Sequence, residues 1–180
     1  MEGKLELIIG NMFSGKSTEL IRRINREKSI NKRILVINFV GDNRYSTDSI
    51  STHSNQKIKC LKLNKLHDLP IGMINDYDSF FIDEGQFFVD LFEYTKNLVD
   101  VYKKRVVVSG LSGDFSRNNF GDIIKLIPIC DTIDKLCAYC KICNNGNDGP
   151  FTKKISSEKS IIDIGSNDKY IPVCRTHYLN

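Results

Sequence analysis

The residues with the most explicit chemistry are Gly10-Asn11-Met12-Phe13-Ser14-Gly15-Lys16-Ser17. They satisfy the phosphate-loop pattern G-x-x-x-x-G-K-[ST] without a mismatch. Gly10 and Gly15 allow backbone N–H groups to turn inward around a chain of phosphates. The Lys16 ammonium would reach the outer phosphates, and the Ser17 hydroxyl would ligate Mg²⁺. A Gly-rich turn with no ligand would not need the flanks this loop has. Leu5 to Ile9 reads as a buried strand. Ser17-Thr18-Glu19-Leu20-Ile21 opens a helix whose N-terminal dipole favours anions.

A second piece of chemistry lies at Ser79-Phe80-Phe81-Ile82-Asp83-Glu84-Gly85, an apolar strand that ends in an acid. This is the Walker B arrangement, with Asp83 at the carboxyl end of a sheet near the phosphates and their Mg²⁺. Glu84 follows at once. Alone, the pair would read as two solvated acids at a strand end. With a phosphate loop upstream it reads as part of a site.

The third is metal chemistry. Cys137, Cys140, Cys143, Cys174 and His177 are grouped as a zinc site would group them. Two Cys-x2-Cys registers are open, Cys137 with Cys140 or Cys140 with Cys143. A zinc knuckle turns tightly after its second Cys. Asn144-Asn145-Gly146 supplies that turn after Cys143, whereas Lys141-Ile142 does not after Cys140. Cys137 also fits the alternation of the strand before it. The expected ligands are Cys140, Cys143, Cys174 and His177, three thiolates and an imidazole, as in a closed structural Zn²⁺ site.

The elements that must position these groups follow the hydrophobic pattern. Ser17 to about Lys28 is expected as a helix, with Leu20, Ile21 and Ile24 on its apolar face and Arg22, Arg23, Arg26 and Glu27 largely off it. Ile34 to Val40 is a nearly continuous apolar run and reads as a buried parallel strand, closing a βαβ unit. Gly41 to Ser54 is a polar loop past a strand end, where α/β folds bind ligands. Lys57 to Leu63 alternates, as a half-exposed strand does. Val89 to Tyr102 and Gly121 to Ile129 read as helices, and Arg105 to Gly110 as a buried strand. Thr132 to Tyr139 reads as a last strand of the main sheet. Phe115 and Phe120 sit in a polar loop, where they either stack on a planar ligand or pin the loop to the core. After Leu136 the texture changes to turns and a hairpin, which sets the expected division into a core of residues 1–136 and a zinc-binding unit of residues 137–180. That unit has little apolar content, so the metal is expected to hold it together.

The chain has 180 residues, 41% hydrophobic and 27% charged, enough for one domain with an appendage. No apolar run approaches the roughly 20 residues of a membrane span. The strand after Met1-Glu2-Gly3 is too short for a signal-peptide core, so a cytoplasmic location is expected. The formal charge of +4 is scattered. Arg22-Arg23 and Lys103-Lys104-Arg105 read as solvated helix faces or ends. Without aromatic-basic interleaving no nucleic-acid partner is expected.

Taken together, these residues resemble the type II thymidine kinases, over nearly the whole chain. The likeness rests on the phosphate loop with Ser17-Thr18-Glu19-Leu20-Ile21-Arg22-Arg23, on Asp42-Asn43-Arg44-Tyr45 and on Asp83-Glu84-Gly85-Gln86-Phe87-Phe88. It continues through Phe115 and Phe120, Gly165-Ser166-Asn167-Asp168-Lys169-Tyr170 and Cys174-Arg175. The resemblance implies an α/β fold, a RecA-like P-loop core with a mainly parallel sheet plus a small zinc-bound lasso or lid. It implies a homotetramer and transfer of the ATP γ-phosphate to the thymidine 5′-hydroxyl with Mg²⁺. Carried over by position, Glu84 is the general base, Gly85 helps to aim it, and Arg44 and Lys16 act on the transferring phosphoryl group. Gly10 to Ser17, Asp42, Asn43, Arg44 and Asp83 to Gln86 correspond to the ATP site, with Ser17 and Asp83 serving Mg²⁺. Met12, Phe87, Leu111, Phe115, Phe120, Thr152 and Tyr170 correspond to the nucleoside pocket, with Ile161, Ile162, Asp163, Ile164 and Gly165 as the lasso. Aligning Lys135-Leu136 places the two zinc cysteines on Cys140 and Cys143.

The chain departs from the family pattern at Asn11, usually proline, which frees a fixed φ and is expected to loosen the loop beside Met12. It departs also at Ser112, Asp163 and Ser166, and by two residues inserted between Cys143 and Cys174. Two other readings are a P-loop kinase for another deoxynucleoside, differing at Thr152 and the lasso, and a zinc-ribbon P-loop ATPase that binds nucleic acid.

Overall fold

The computed structural model describes residues 2–41, 49–51, 57–156 and 169–180. In chain order the elements are β1 (Lys4–Gly10), α1 (Lys16–Lys28), β2 (Ile34–Phe39), β3 (Ser49–Ser51), β4 (Lys57–Lys59), β5 (Leu61–Leu63), α2 (Ile71–Ile74) and β6 (Ser79–Ile82). Then follow α3 (Leu91–Asp100), β7 (Arg105–Leu111), β8 (Thr132–Leu136), β9 (Ala138–Tyr139), β10 (Asp148–Gly149), β11 (Phe151–Lys154), β12 (Tyr170–Val173) and α4 (Arg175–Leu179).

Six strands form a wholly parallel sheet in the order β5-β2-β6-β7-β1-β8. Side chains alternate between its faces, so each apolar run feeds two cores. Leu5, Leu7, Ile9, Ile37, Phe80, Ile82, Val106 and Val108 pack with Leu91 and Leu98 of α3 on one face. Ile8, Val36, Phe81 and Val107 pack with Leu20, Ile21 and Ile24 of α1 on the other. Burial on both faces is why these strands read as near-continuous apolar runs. Among the described residues, no helix is long and apolar enough to cross a membrane.

Several sequence expectations change. Lys57 to Leu63 is two strands rather than one: β4 pairs antiparallel with β3, and after Cys60 β5 joins the main sheet beside β2. The last main-sheet strand ends at Leu136, and Ala138-Tyr139 pairs instead with Asp148-Gly149 in a separate ladder. Alternation alone cannot reveal that switch of partner. The expected helix over Gly121 to Ile129 is a 3₁₀ turn, Ile123–Ile129, with Pro128 inside it. The helix expected over Val89 to Tyr102 is shorter, Leu91–Asp100, and a short 3₁₀ turn and α2 precede β6.

Arg23 is not solvated. It is buried, bonding Glu6 at 2.8 Å and Glu19 at 2.8 Å, and it also bonds Asp134. Arg105 joins the same cluster through Glu6 and Glu27, and Glu27 is buried as well. A buried charge is stable when its partners saturate it, and Arg23 has three carboxylates.

Candidate active site and Cys/His cluster

The phosphate loop leaves the carboxyl end of β1 and enters α1 through Phe13 and Gly15, both at positive φ (65° and 84°). The Lys16 ammonium donates to the Asn11 carbonyl at 2.7 Å, and the Ser14 hydroxyl donates to the same carbonyl at 2.8 Å. Lys16 thus lies over its own loop with the amine held by a neutral acceptor.

Asp83 follows the last residue of β6. Its N–H donates to the Ile37 carbonyl at 2.9 Å, which fixes the backbone against β2. β7 lies between β6 and the loop-bearing β1. Even so, the Ser17 hydroxyl donates to Asp83 Oδ2 at 3.2 Å. The loop and the acid pair therefore meet at one end of the sheet, across an intervening strand. A hydroxyl beside a buried carboxylate is an oxygen donor set suited to a hard divalent cation.

Glu84 is also buried, and its backbone is left-handed (φ 54°, ψ 40°). In a continuing strand Asp83 and Glu84 would face opposite ways. The chain direction changes at Glu84 itself, where the backbone is left-handed. What Gly85 supplies is space: a Cβ there would lie 2.7 Å from Val108 Cγ1. A non-glycine residue at positive φ costs of the order of 1 kcal/mol and persists where its surroundings hold it. Here Glu84 N–H donates to Asp83 Oδ1 at 3.1 Å. Its Oε2 accepts from Gln86 Nε2 at 2.5 Å. Gln86 Oε1 in turn accepts from Leu111 N–H at 2.9 Å. Because that backbone N–H can only donate, it fixes which end of the Gln86 amide faces Glu84.

The residues expected around a nucleoside come together in pairs. Phe87 and Phe120 meet edge-on at 5.4 Å, and Phe39 stacks on Phe87 at 5.3 Å. Phe115 lies 6.2 Å from Tyr170. Met12 N–H donates to Thr152 Oγ1 at 3.1 Å. Phe115 and Phe120 are half-buried and packed on protein rings, so both help to pin their loop. Asp42, Asn43, Arg44 and the lasso residues Ile161, Ile162, Asp163, Ile164 and Gly165 lie outside the described residues.

Sequence reasoning missed what ties the Phe115 loop to the chain beyond Leu136. Arg117 lies over the Tyr178 ring at 4.5 Å and over the Phe151 ring at 5.9 Å, and the Tyr178 hydroxyl donates to the Phe115 carbonyl at 2.7 Å. Their separation in the chain left no local signal.

The ligand atoms of Cys140, Cys143, Cys174 and His177 lie within 4.8 Å of one another. Cys174 precedes α4, and His177 comes one turn later on the same face. The Cys143–Cys174 sulfur separation is 3.8 Å, and His177 Nδ1 is 3.3–3.5 Å from the three sulfurs. A tetrahedral zinc with ordinary Zn–S and Zn–N bonds would set these at about 3.8 and about 3.5 Å. Burial opposes ionisation of Cys140. Backbone N–H bonds from Cys143 and Cys174 and the His177 contact outweigh it and hold the thiol below its ordinary value. Cys137 stays outside the cluster, exposed, with its thiol turned to the Ala138 carbonyl. The geometry and the donor chemistry both fit zinc.

The sequence model of the family described as Thymidine kinase matches residues 3–178. The chain belongs to the thymidine kinase family. It is similar to thymidine kinase a of Arabidopsis thaliana, 39% identical over 181 residues that cover 98% of this chain and 75% of that protein. It is 40% identical to the monkeypox virus thymidine kinase over 178 residues, covering 99% and 98% of the two chains. It is 42% identical to that of Amsacta moorei entomopoxvirus over 182 residues, covering 98% of each. Membership of this family of phosphotransferases makes the chain an enzyme, and kinase chemistry implies ATP as phosphoryl donor.

Proposed function

We propose that this enzyme transfers the γ-phosphate of ATP to the 5′-hydroxyl of thymidine, giving ADP and thymidine 5′-monophosphate, with Glu84 as the general base. The observation that carries this reading is the Ser17–Asp83 hydrogen bond, which joins the phosphate loop to the strand end that bears Glu84. Ser17 and Asp83 are the residues that would hold Mg²⁺, which when bound offsets charge on the phosphate oxygens.

Gly10 to Ser17 wrap the phosphates with backbone N–H groups. Lys16, an ammonium with three donors, reaches the phosphate oxygens with charge-assisted bonds while it keeps the Asn11 carbonyl. Thymidine lies with its 5′-hydroxyl toward Glu84, among Met12, Phe87, Leu111, Phe115, Phe120, Thr152 and Tyr170. As the hydroxyl oxygen attacks the γ-phosphorus, its proton passes to the Glu84 carboxylate and the bond to the ADP oxygen breaks. Gln86, clamped by Leu111, holds that carboxylate in one orientation. Arg44 and Lys16 offset the charge on the group in transit. Asp42 and Asn43 belong to the ATP site, and residues 161–165 close over the base.

Residues 137–180 form a lid unit held by a structural zinc on Cys140, Cys143, Cys174 and His177, beside a catalytic core of residues 1–136. We infer a cytoplasmic homotetramer from the resemblance to the type II thymidine kinases. Arg117, Arg175 and Lys154 each lie over rings of their own chain, which supports a lid wall rather than a nucleic-acid surface.

The test incubates purified protein with ATP, Mg²⁺ and each deoxynucleoside in turn, beside Glu84→Gln. Thymidine 5′-monophosphate is expected from the wild type, and a loss in kcat of roughly 10²-fold or more in the variant. Product from a different deoxynucleoside would favour the second kinase reading. ATP hydrolysis stimulated by DNA, with no nucleotide product, would sink the assignment.

A further inference from the structure

We propose that Asn11 is a positioning residue that couples the Cys/His unit to the phosphate loop, so that zinc occupancy sets the affinity for the nucleotide phosphates. This rests on the reading that zinc binds the cluster and that the loop binds ATP or ADP.

Asn11 is buried inside the loop, yet its side chain belongs to the other unit by its bonds. Its Nδ2 donates to the Gly149 carbonyl at 2.8 Å, and its Oδ1 accepts from the Ala138 N–H at 3.4 Å. Ala138 and Gly149 are partners across the two-residue β9–β10 ladder. The Asn11 amide thus lies against one strand's donor and the other strand's acceptor, like an added rung. A ladder two residues long has little stability alone.

The rung is close to the metal ligands. Cys140 follows β9 directly, and its N–H donates to the Asn147 carbonyl at 2.7 Å. Gly149 packs so tightly on this corner that a Cβ on it would lie 2.8 Å from the Cys140 nitrogen and Cα. A zinc ion that fixes Cys140 therefore fixes the carbonyl that Asn11 holds.

The other end of Asn11 faces the nucleotide chemistry. Its own carbonyl accepts from the Lys16 ammonium and from the Ser14 hydroxyl. One residue thus has its side chain anchored in the zinc unit and its backbone oxygen anchored on the phosphate-binding lysine. Proline could not make the side-chain bonds, and the bonds to Ala138 and Gly149 tie Asn11 down where the sequence suggested loosening. If the cluster loses its metal, β9–β10 loses its order, and the loop must pay part of its own ordering when phosphates arrive.

The test is a thermodynamic cycle on the full chain. A fluorescent ADP analogue is titrated with Mg²⁺ into wild type and Asn11→Ala, each zinc-loaded and each stripped of zinc with the chelator removed. In wild type, stripping is expected to weaken ADP binding at least about fivefold, the low end of ordinary coupling. In loaded Asn11→Ala, ADP binding is already weaker, and stripping changes it less than about twofold. By reciprocity ADP must tighten zinc in wild type by the same factor, read by competition with a colorimetric chelator. A variant with zinc affinity unchanged by ADP supports the link, because loss of a merely structural contact would leave it in place. Should Asn11→Ala not retain zinc on purification, Asn11→Asp carries the test: it keeps the size and the acceptor but has no donor for Gly149, and the same loss of coupling is expected. Equal zinc dependence in wild type and variant overturns the inference, as does wild type that binds both zinc and ADP without coupling. Wild type that binds neither overturns the proposed function together with it.

Discussion

Phe80 and Phe81 are adjacent in the chain and both fully buried, one in each core of the six-stranded sheet. Beyond Leu136 the chain is built differently. Its described strands form ladders of two and four residue pairs, and none of its described residues belongs to either apolar cluster. It is held instead by the Cys/His cluster, by rings under Arg117 and Arg175, and by the Asn11 and Thr152 bonds to the phosphate loop. A sheet buried on both faces gains stability from apolar area and holds the loop and the acids rigidly. A unit tied by a metal and a few polar bonds can order and disorder near a site without unfolding the core. That suits the lid we propose, which would admit and release the nucleoside.

The comparison breaks most sharply at the metal. Cys143→Ala should lose zinc and open residues 140–156 to limited proteolysis while the core's far-ultraviolet circular dichroism persists, since structural zinc contributes about 10–16 kcal/mol to small domains. Cys137→Ala should keep zinc. The reverse pattern would mean that Cys137 is the ligand.

Next comes the core. Phe81→Ala should lower its unfolding free energy by about 3–5 kcal/mol in urea titrations, through the cavity left under α1, with zinc stoichiometry unchanged. A concerted loss of zinc along the same urea curve would show that the two units unfold as one.

Smallest is the acid limb. The Arg22 and Arg23 bonds hold the Glu19 carboxyl well below its ordinary value, down to about 2. A depressed folded-state pKa contributes stability that is complete above the unfolded value of 4.5 and is lost as pH falls toward 2. Glu19→Gln should therefore lower stability near pH 7, flatten the stability–pH curve between about 4.5 and 2, and converge on wild type at the acid end. Because Glu19 is partly exposed, added salt should shrink the effect.

Much of the core was legible because its signals are local. The phosphate loop from Gly10 to Ser17, the apolar strands and the Asp83-Glu84 strand end each follow from residues within one short window. The grouping of Cys140 and Cys143, without Cys137, in the Cys/His cluster was legible for the same reason, since the turn after Cys143 lies beside it. Arg23 was misread because a helical wheel shows only that it lies off the Leu20–Ile24 face, and not that Glu6 and Asp134 from β1 and β8 wait there. Gln86 was legible as part of a motif, but its clamp on Glu84 depends on Leu111 at the end of another strand.

The sequence by itself therefore determined the chemistry available to this kinase-family chain: a phosphate-loop motif, an acid pair, three cysteines and a histidine able to hold a metal, and a parallel sheet to carry them. Tertiary structure alone decided how those parts meet. It placed β7 between β1 and β6 and still brought Ser17 to Asp83, turned the chain at Glu84 itself, and seated Asn11 between Ala138 and Gly149. The physical reason is that donor and acceptor pairing between distant segments depends on which strands become neighbours, and hydrophobic periodicity fixes the face a residue takes without naming its partner.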